Sequence, residues 1–308
     1  MTDISIVIVS YNSAKELKPC VEAALASDIA EIIVIDNASD DISELNLEEM
    51  SPKIKLFLNT TNEGYARAIN KGIEKSAGRF VLLLNPDVVV NAPGISAMSE
   101  ALDKGESTYA AAARLDWPDG RFQRYFTADP TVASLAARLI VLEPFLRNTK
   151  KVQDYLKADM SPEIAQELET APGACLMIKK SAIDMIGGMD ERFPLFFNDV
   201  DYCVRLRHSG GRILYVPDAR FTHIMQASVS RMKPELRRGE LMLSAVRYVG
   251  KYKSRASAFA LKLMFVIDLK IRAAATLCRL ITKKKNASDF TAALKAVYMV
   301  AFNKSLFE

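Results

Sequence analysis

The chain is poor in the features that staple, anchor or label a protein. Its 308 residues hold four cysteines, Cys20, Cys175, Cys203 and Cys278, scattered without a CxxC pair or a zinc-ligand spacing. This excludes a disulfide framework and predicts reduced thiols in a cytosolic protein. No uncharged apolar run approaches the ~20 residues that a membrane-spanning helix needs, so a soluble or peripheral protein is expected. The opening MTDISIVIVSYN carries Asp3 and passes directly into an apolar run, unlike a signal peptide. No GxGxxG follows the first apolar run and no GxxxxGKS/T occurs anywhere, so the two commonest phosphate-binding loops are missing. There are only two histidines, no internal repeat and no low-complexity segment.

What is present is an ordinary globular mixture, 50% hydrophobic and 25% charged, long enough for one large α/β domain or a domain with an appendage. Apolar runs alternate with amphipathic segments over the first hundred residues. Ile4–Val9, Glu31–Ile35, Ile54–Leu58 and Phe80–Leu84 read as strands; Ala14–Ala26, with Ser13 as N-cap, and Gly64–Ser76 read as helices. This pattern predicts a mostly parallel sheet with helices on both faces. Further along, Thr108–Leu115 and Ala174–Ile178 read as strands, and Thr131–Leu142 and Pro162–Thr170 as helices. A short helix capped by Ser181 and a helix Val200–His208 come next, then a last strand Arg212–Tyr215 followed by a loop carrying His223.

The net charge of +4 hides an asymmetry: from Arg231 onward there are 17 Lys and Arg against 5 Asp and Glu, a balance of +12. Within a helical composition from Leu236 to Thr282, Leu263, Met264, Ile267, Ile271, Ala274, Cys278 and Ile281 share one face. Lys262, Lys270, Arg272 and Arg279 lie on the other, and Lys283–Lys285 closes the run. Residues 231–308 are therefore expected to form a basic amphipathic helical tail that meets an anionic membrane surface. The same pattern also suits a helical hairpin packed on the body with a solvated charged face. Nucleic acid is not expected, because no aromatics are interleaved for base stacking.

Polar clusters stand where the predicted strands end: Ser10-Tyr11-Asn12, Asp36-Asn37 and Asn85-Pro86-Asp87. In parallel sheets that edge binds ligands. Asp36 can accept from a pyrimidine N–H, and Asp87 can hold a divalent metal that bridges phosphates, since Mg2+ often takes only one or two protein carboxylates. Taken alone, Asn-Pro-Asp also reads as a simple turn, Asp199 as the N-cap of the Val200 helix, and His223 as a surface residue.

In their order, IVIVSYN, VIDNASDD, NEGYARAINKGI, LLLNPDV, GACLMIKKSAIDMIGGMDERF and FFNDVDYCVRLRHSGGRILYVPDARFTH resemble the inverting family 2 glycosyltransferases of the type A nucleotide-sugar fold. The resemblance runs from Ile4 to roughly Val229, three-quarters of the chain, and leans toward bacterial rhamnosyltransferases of cell-surface polysaccharide synthesis. It implies a catalytic domain over 1–230, with Asp199 as catalytic base and a nucleotide side formed by Ser10, Asn12, Asp36, Arg67, Asn70 and Asn85. Asp87 and His223 are implied as ligands of Mg2+ or Mn2+. Two positions depart from the family pattern: Asn85 replaces the first acid of its DxD motif, and Asn198 replaces the Glu before the base. The expected partners are a dTDP- or UDP-sugar donor, a glycan or lipid-linked acceptor, and a second copy as a homodimer, with the protein peripheral on the inner membrane face. The donor is expected to be dTDP-rhamnose; UDP-galactofuranose, UDP-GlcNAc and a catalytically degenerate scaffold are the alternatives.

Overall fold

The computed structural model describes residues 3–224, 232–282 and 286–307. Among these, nine strands form one sheet in the order β3-β2-β1-β4-β8-β6-β9-β5, with β7 paired to β9. The strands are β1 (Ile4–Ser10), β2 (Glu31–Asp36), β3 (Ile54–Leu58), β4 (Phe80–Leu84), β5 (Val88–Val89), β6 (Thr108–Asp116), β7 (Gln166–Glu167), β8 (Cys175–Lys179) and β9 (Arg212–His223). The helices are α1 (Ala14–Leu25), α2 (Leu47–Met50), α3 (Tyr65–Lys75), α4 (Ala92–Lys104), α5 (Val132–Leu139), α6 (Glu143–Leu146), α7 (Lys150–Tyr155), α8 (Lys180–Ile186), α9 (Asn198–His208), α10 (Pro234–Tyr252), α11 (Arg255–Ile281) and α12 (Ala287–Phe302).

The first four strands are parallel to one another. β1, β2 and β4 are buried along their whole length, as continuous apolar runs require when helices cover both faces. The two-residue period of a strand divides their side chains: Ile6 and Ile8 pack with Leu17 and Val21 of α1, while Val7 and Val9 pack with Ile69 and Ile73 of α3. Gly72 lets α3 approach this closely, since a Cβ there would lie 2.2 Å from Val7 Cγ1. Beyond β4 the sheet becomes mixed. β8 runs antiparallel to both β4 and β6, and β9 is parallel to β6 but antiparallel to β5.

Several local expectations are corrected. Pro162–Thr170 is not a helix; it contains the short β7, which extends the sheet at β9. α8 begins at Lys180 rather than after a Ser181 cap. α9 begins at Asn198, after Phe197 in left-handed conformation (φ 67), so Asp199 is the second helical residue and not the N-cap. The last strand does not stop at Tyr215: β9 continues to His223, which is a strand residue and not a loop residue. Leu236–Thr282 is divided, with Ser254 capping α11 by accepting the Ser257 N–H.

Helices α10–α12 share a third core with α5 and α9, in which Leu135, Phe197 and Val204 meet Leu243, Tyr248, Phe265 and Ala296. Three carboxylates are buried where these helices meet the rest of the chain. Asp201 on α9 accepts from Arg205 at 2.9 Å and from the Tyr252 hydroxyl at 2.7 Å, and also pairs with Lys251. Asp268 on α11 accepts from the Val141 N–H at 2.6 Å and from Arg272 at 2.7 Å. Glu240 on α10 holds Ser305 and Leu306. Burying a carboxylate is tolerated only with this degree of pairing.

The outer face of α11 is the expected one: Leu263, Met264, Ile267, Ile271, Cys278 and Ile281 are exposed, together with Phe259. Arg272, expected on the opposite charged face, instead turns inward to Asp268. Lys283–Lys285 and the 230/231 boundary lie outside the described residues. Among the described residues no helix is long and apolar enough to cross a membrane.

Candidate active site

Strand register brings the predicted polar clusters to one edge. Ser10 pairs with Asp36 across β1 and β2, and Ile8 pairs with Leu84, one residue before Asn85. Asp36 is buried and accepts from the Ser39 N–H at 2.8 Å and from the Ser39 hydroxyl. Asn12, in left-handed conformation (φ 48), donates its N–H to Ser39 Oγ at 2.7 Å and accepts the Asp40 N–H at 2.9 Å. The loops after β1 and β2 are thus knit into one unit. Ser10 lies beneath it, fully buried against Ser13 at 3.1 Å.

Beside this unit is a cavity of about 440 Å³, lined among others by Tyr11, Asn37, Asn85, Asp87, Asp199 and His223. The Asn85-Pro86-Asp87 tip is a tight turn closed by the Val88 N–H donating to Asn85 O at 3.2 Å. β5 then pairs Val88 with His223, and this register sets His223 Nε2 3.4 Å from Asp87 Oδ1, with both side chains buried. Gln123 fixes the ring. Its amide donates to His223 O at 2.6 Å, and its Oε1 faces His223 Nδ1 at 2.9 Å. Because Oε1 can only accept, Nδ1 donates to it, which leaves Nε2 as the ring nitrogen that faces Asp87. An imidazole nitrogen and a carboxylate oxygen side by side are both metal-ligand types. The described lining of the cavity contains no Lys or Arg. The donor set therefore suits a divalent metal with substrate phosphates completing its shell, although no group of three or more His, Cys, Asp or Glu gathers there among the described residues.

Asp199 sits across the cavity. Its Oδ2 accepts the Gly173 N–H at 3.1 Å and its Oδ1 the Val200 N–H at 2.8 Å. Burial pushes its carboxyl above the ordinary carboxylate range, and the bonds from the Gly173 and Val200 backbone N–H groups oppose that rise. Tyr65 donates to Gly173 O at 3.0 Å and so buttresses the same loop. Asn198, in place of the family's Glu, turns inward and donates to Phe193 O at 3.3 Å.

Of the residues expected on the nucleotide side, Asn85 lines the cavity, whereas Ser10, Asn12, Asp36, Arg67 and Asn70 do not. Arg67 pairs with Glu191 at 2.9 Å, and Asn70 brackets Met189, accepting its N–H at 2.7 Å and donating to its carbonyl at 2.9 Å. Together Arg67 and Asn70 clasp the 188–191 loop to α3. The sequence reading missed Gln123, Tyr125 and the segment 303–307. This segment turns back from α12 through Asn303 in left-handed conformation, and Leu306 and Phe307 reach the cavity wall. It is held there by Glu240, which accepts from Ser305 Oγ at 2.9 Å and from the Leu306 N–H at 3.2 Å. The Phe307 ring lies over Gly64 (φ 84), where a Cβ would come within 3.4 Å of it and within 3.0 Å of Pro194.

The chain is similar to several known proteins. An N-acetylglucosaminyl-diphospho-decaprenol L-rhamnosyltransferase of Mycobacterium tuberculosis is 26% identical over 245 residues, covering 75% of this chain and 79% of its own length. A low-salt glycan biosynthesis hexosyltransferase of Haloferax volcanii is 27% identical over 211 residues, 67% of this chain and 62% of its own. Among solved structures, a mannosyltransferase from Pyrobaculum calidifontis in complex with GDP-Man and Mn2+ superposes with a TM-score of 0.54 at 15% identity, over 98% of this chain and 88% of that one. GalNAc-T7 with UDP, GalNAc and Mn2+ gives 0.59 at 18% identity, over 81% of this chain and 48% of the other. These likenesses give the type A glycosyltransferase fold. Residues 5–186, more than half of the sequence and the part that builds the strand-end cleft, match glycosyl transferase family 2, and the chain belongs to that family.

Proposed function

We propose that this glycosyltransferase is an inverting, metal-dependent enzyme that moves rhamnose from dTDP-rhamnose to a hydroxyl of a lipid-linked or polymeric glycan. The observation that carries the reading is the pairing of Asp87 with His223 across the cavity from Asp199, in a lining without described cations. The rhamnosyl donor is supported by the similarity to the M. tuberculosis L-rhamnosyltransferase. Residues 1–230 are taken as the catalytic unit and 231–308 as the helical tail. Its exposed α11 face would hold the protein on an anionic membrane surface at the inner face of the cell membrane.

Asp87 and His223 would hold Mg2+ or Mn2+, which when bound supplies the positive charge that stabilises a departing diphosphate. Asp36, Asn12 and Asn85 are assigned to the nucleotide, with Ser10 supporting their loops and Arg67 and Asn70 holding the neighbouring clasp. Asp199 takes the proton of the acceptor hydroxyl as that oxygen forms its bond to the anomeric carbon and the bond from that carbon to the diphosphate oxygen breaks on the opposite face. Its two backbone hydrogen bonds fix the carboxylate so that little reorganisation accompanies the transfer.

Calorimetric titration with dTDP, UDP and GDP, with and without Mn2+, tests the reading on wild type and Asp87→Ala. One diphosphate binding only with metal, and not to the variant, supports it and identifies the nucleotide. Tight UDP binding would move the donor to a UDP-sugar. Absence of binding by all three would leave a degenerate scaffold.

A further inference from the structure

A second cavity, of about 550 Å³, lies between α5–α6 and the helices α10 and α11. Tyr125 lines both this cavity and the first, and Phe197, two residues before Asp199, also borders it. Its chemistry is opposite to that of the first cavity: Arg124, Arg138, Arg238 and Arg272 converge there, and the one carboxylate in its described lining is Glu143. Arg138 is paired with Glu143 and Arg272 with Asp268. The other two bond to backbone carbonyls, Arg124 to Ala158 and Met160 and Arg238 to Leu139, so no carboxylate among the described residues neutralises them by direct contact. Burial and the nearby Arg272 charge depress the pKa of Arg238, a direction that a bound anion would reverse.

Apolar side chains flank this cavity: Val141, in its lining, is half exposed, and beside it in the chain Leu142 is half exposed and Phe145 on α6 is 82% exposed. The Val141 N–H is tied to Asp268 of α11, whose neighbours Ile267 and Ile271 are also exposed. An arginine cluster flanked by apolar side chains, next to a carboxylate suited to receive a hydroxyl proton, matches a ligand with a hydroxylated sugar, an anionic linkage and an apolar chain.

We infer that this cavity is the acceptor's diphosphate subsite, taking an acceptor sugar linked through a diphosphate to an isoprenoid chain. Arg124 and Arg238 meet the phosphates, and Val141, Leu142 and Phe145 meet the first isoprene units. The sugar passes Tyr125 to reach Asp199. The inference rests on the transferase reading and names the acceptor class of that same site.

The test uses the full chain saturated with dTDP and Mn2+, with farnesyl diphosphate as the probe and inorganic pyrophosphate as its apolar-free control. Farnesyl diphosphate should bind without displacing dTDP, more tightly than pyrophosphate. The double variant Arg124→Gln/Arg238→Gln should weaken it about tenfold or more, the scale of losing charge-assisted bonds, with dTDP affinity unchanged. Leu142→Ser/Phe145→Ser changes only exposed side chains, and should weaken farnesyl diphosphate while leaving pyrophosphate as it was. Competition between farnesyl diphosphate and dTDP, loss of farnesyl diphosphate binding in Asp87→Ala, or indifference to both double variants would overturn the inference. So would arginine-dependent binding to phosphatidylglycerol vesicles without binding of farnesyl diphosphate, which would make the cavity a lipid-headgroup site. Loss of dTDP binding in the wild type would instead sink the transferase reading itself.

Discussion

The two walls of the candidate active-site cavity are built by different physics. On the strand side, Asn85 and Asp87 are placed by backbone register, and their side chains merely end what the sheet has already fixed. On the helix side, Asp199, Leu306 and Phe307 are placed by side chains bonded across elements, through Asp201, Lys251, Tyr252 and Glu240. A sheet edge distributes positioning over many hydrogen bonds. A buried carboxylate concentrates it in one group, so the helix side is where single substitutions should do most harm.

The largest expected effect is on the proposed base. Asp199→Asn should lower kcat by roughly 10²- to 10⁴-fold, the usual range for a general base, while nucleotide binding at the strand side persists in calorimetry. Burial raises the Asp199 pKa, so its proton-accepting form appears only above the ordinary carboxylate range. The acidic limb of the kcat profile should lie correspondingly high. The sign for stability follows. A carboxyl whose pKa is raised by folding favours the native state at low pH and loses that contribution as pH rises through the folded value. At neutral pH, then, Asp199→Asn should raise the melting temperature while lowering kcat, and a lower Tm would show that its backbone bonds outweigh its burial.

Next comes the hub behind it. Asp201→Asn weakens the bonds from Arg205, Lys251 and Tyr252 while Lys251 keeps its pair with Asp190, and should cost about 1.5–3 kcal/mol, the range for hydrogen bonds to charged groups, read by urea unfolding. If the cost is below about 1 kcal/mol, a surface-pair value, the two walls do not differ as described. Glu240→Ala should be milder, removing the anchor of Ser305 and Leu306. A severalfold rise in KM with kcat nearly kept would assign the 303–307 segment to binding, whereas unchanged kinetics would detach it from the site. Smallest of all, Ile267→Ser and Ile271→Ser on the outer face of α11 should shift stability by no more than about 0.5 kcal/mol. Weaker flotation with anionic vesicles at that unchanged stability would support the membrane role of this face.

The same contrast explains what could be read in advance. The strands and the cleft at their ends were legible because fully buried parallel strands are continuous apolar runs, and any polar residue at their tips stands out. The Asp87–His223 pairing was legible only through family resemblance. Local pattern ended β9 at Tyr215, although pairing with β6 and β5 carries the strand on to His223. Gln123 lies 100 residues from the histidine that it orients, and no periodicity connects them. On the helices, hydrophobic period identified the outward stripe of α11. It gave no means of knowing that Arg272 faces Asp268, or that Glu240 faces a serine 65 residues away. Charges look alike along a helix whether water or another element neutralises them.

The anchoring of residues 305–307 has a practical side. Phe307 lies against the loop that opens α3, and one glutamate keeps it there. Any chimera that exchanges the C-terminal helices between relatives therefore also exchanges part of the substrate's surroundings. A purification tag or reporter fused beyond this point is tethered to the cavity that holds Asp87, Asp199 and His223, and its linker becomes a variable in every activity that is measured.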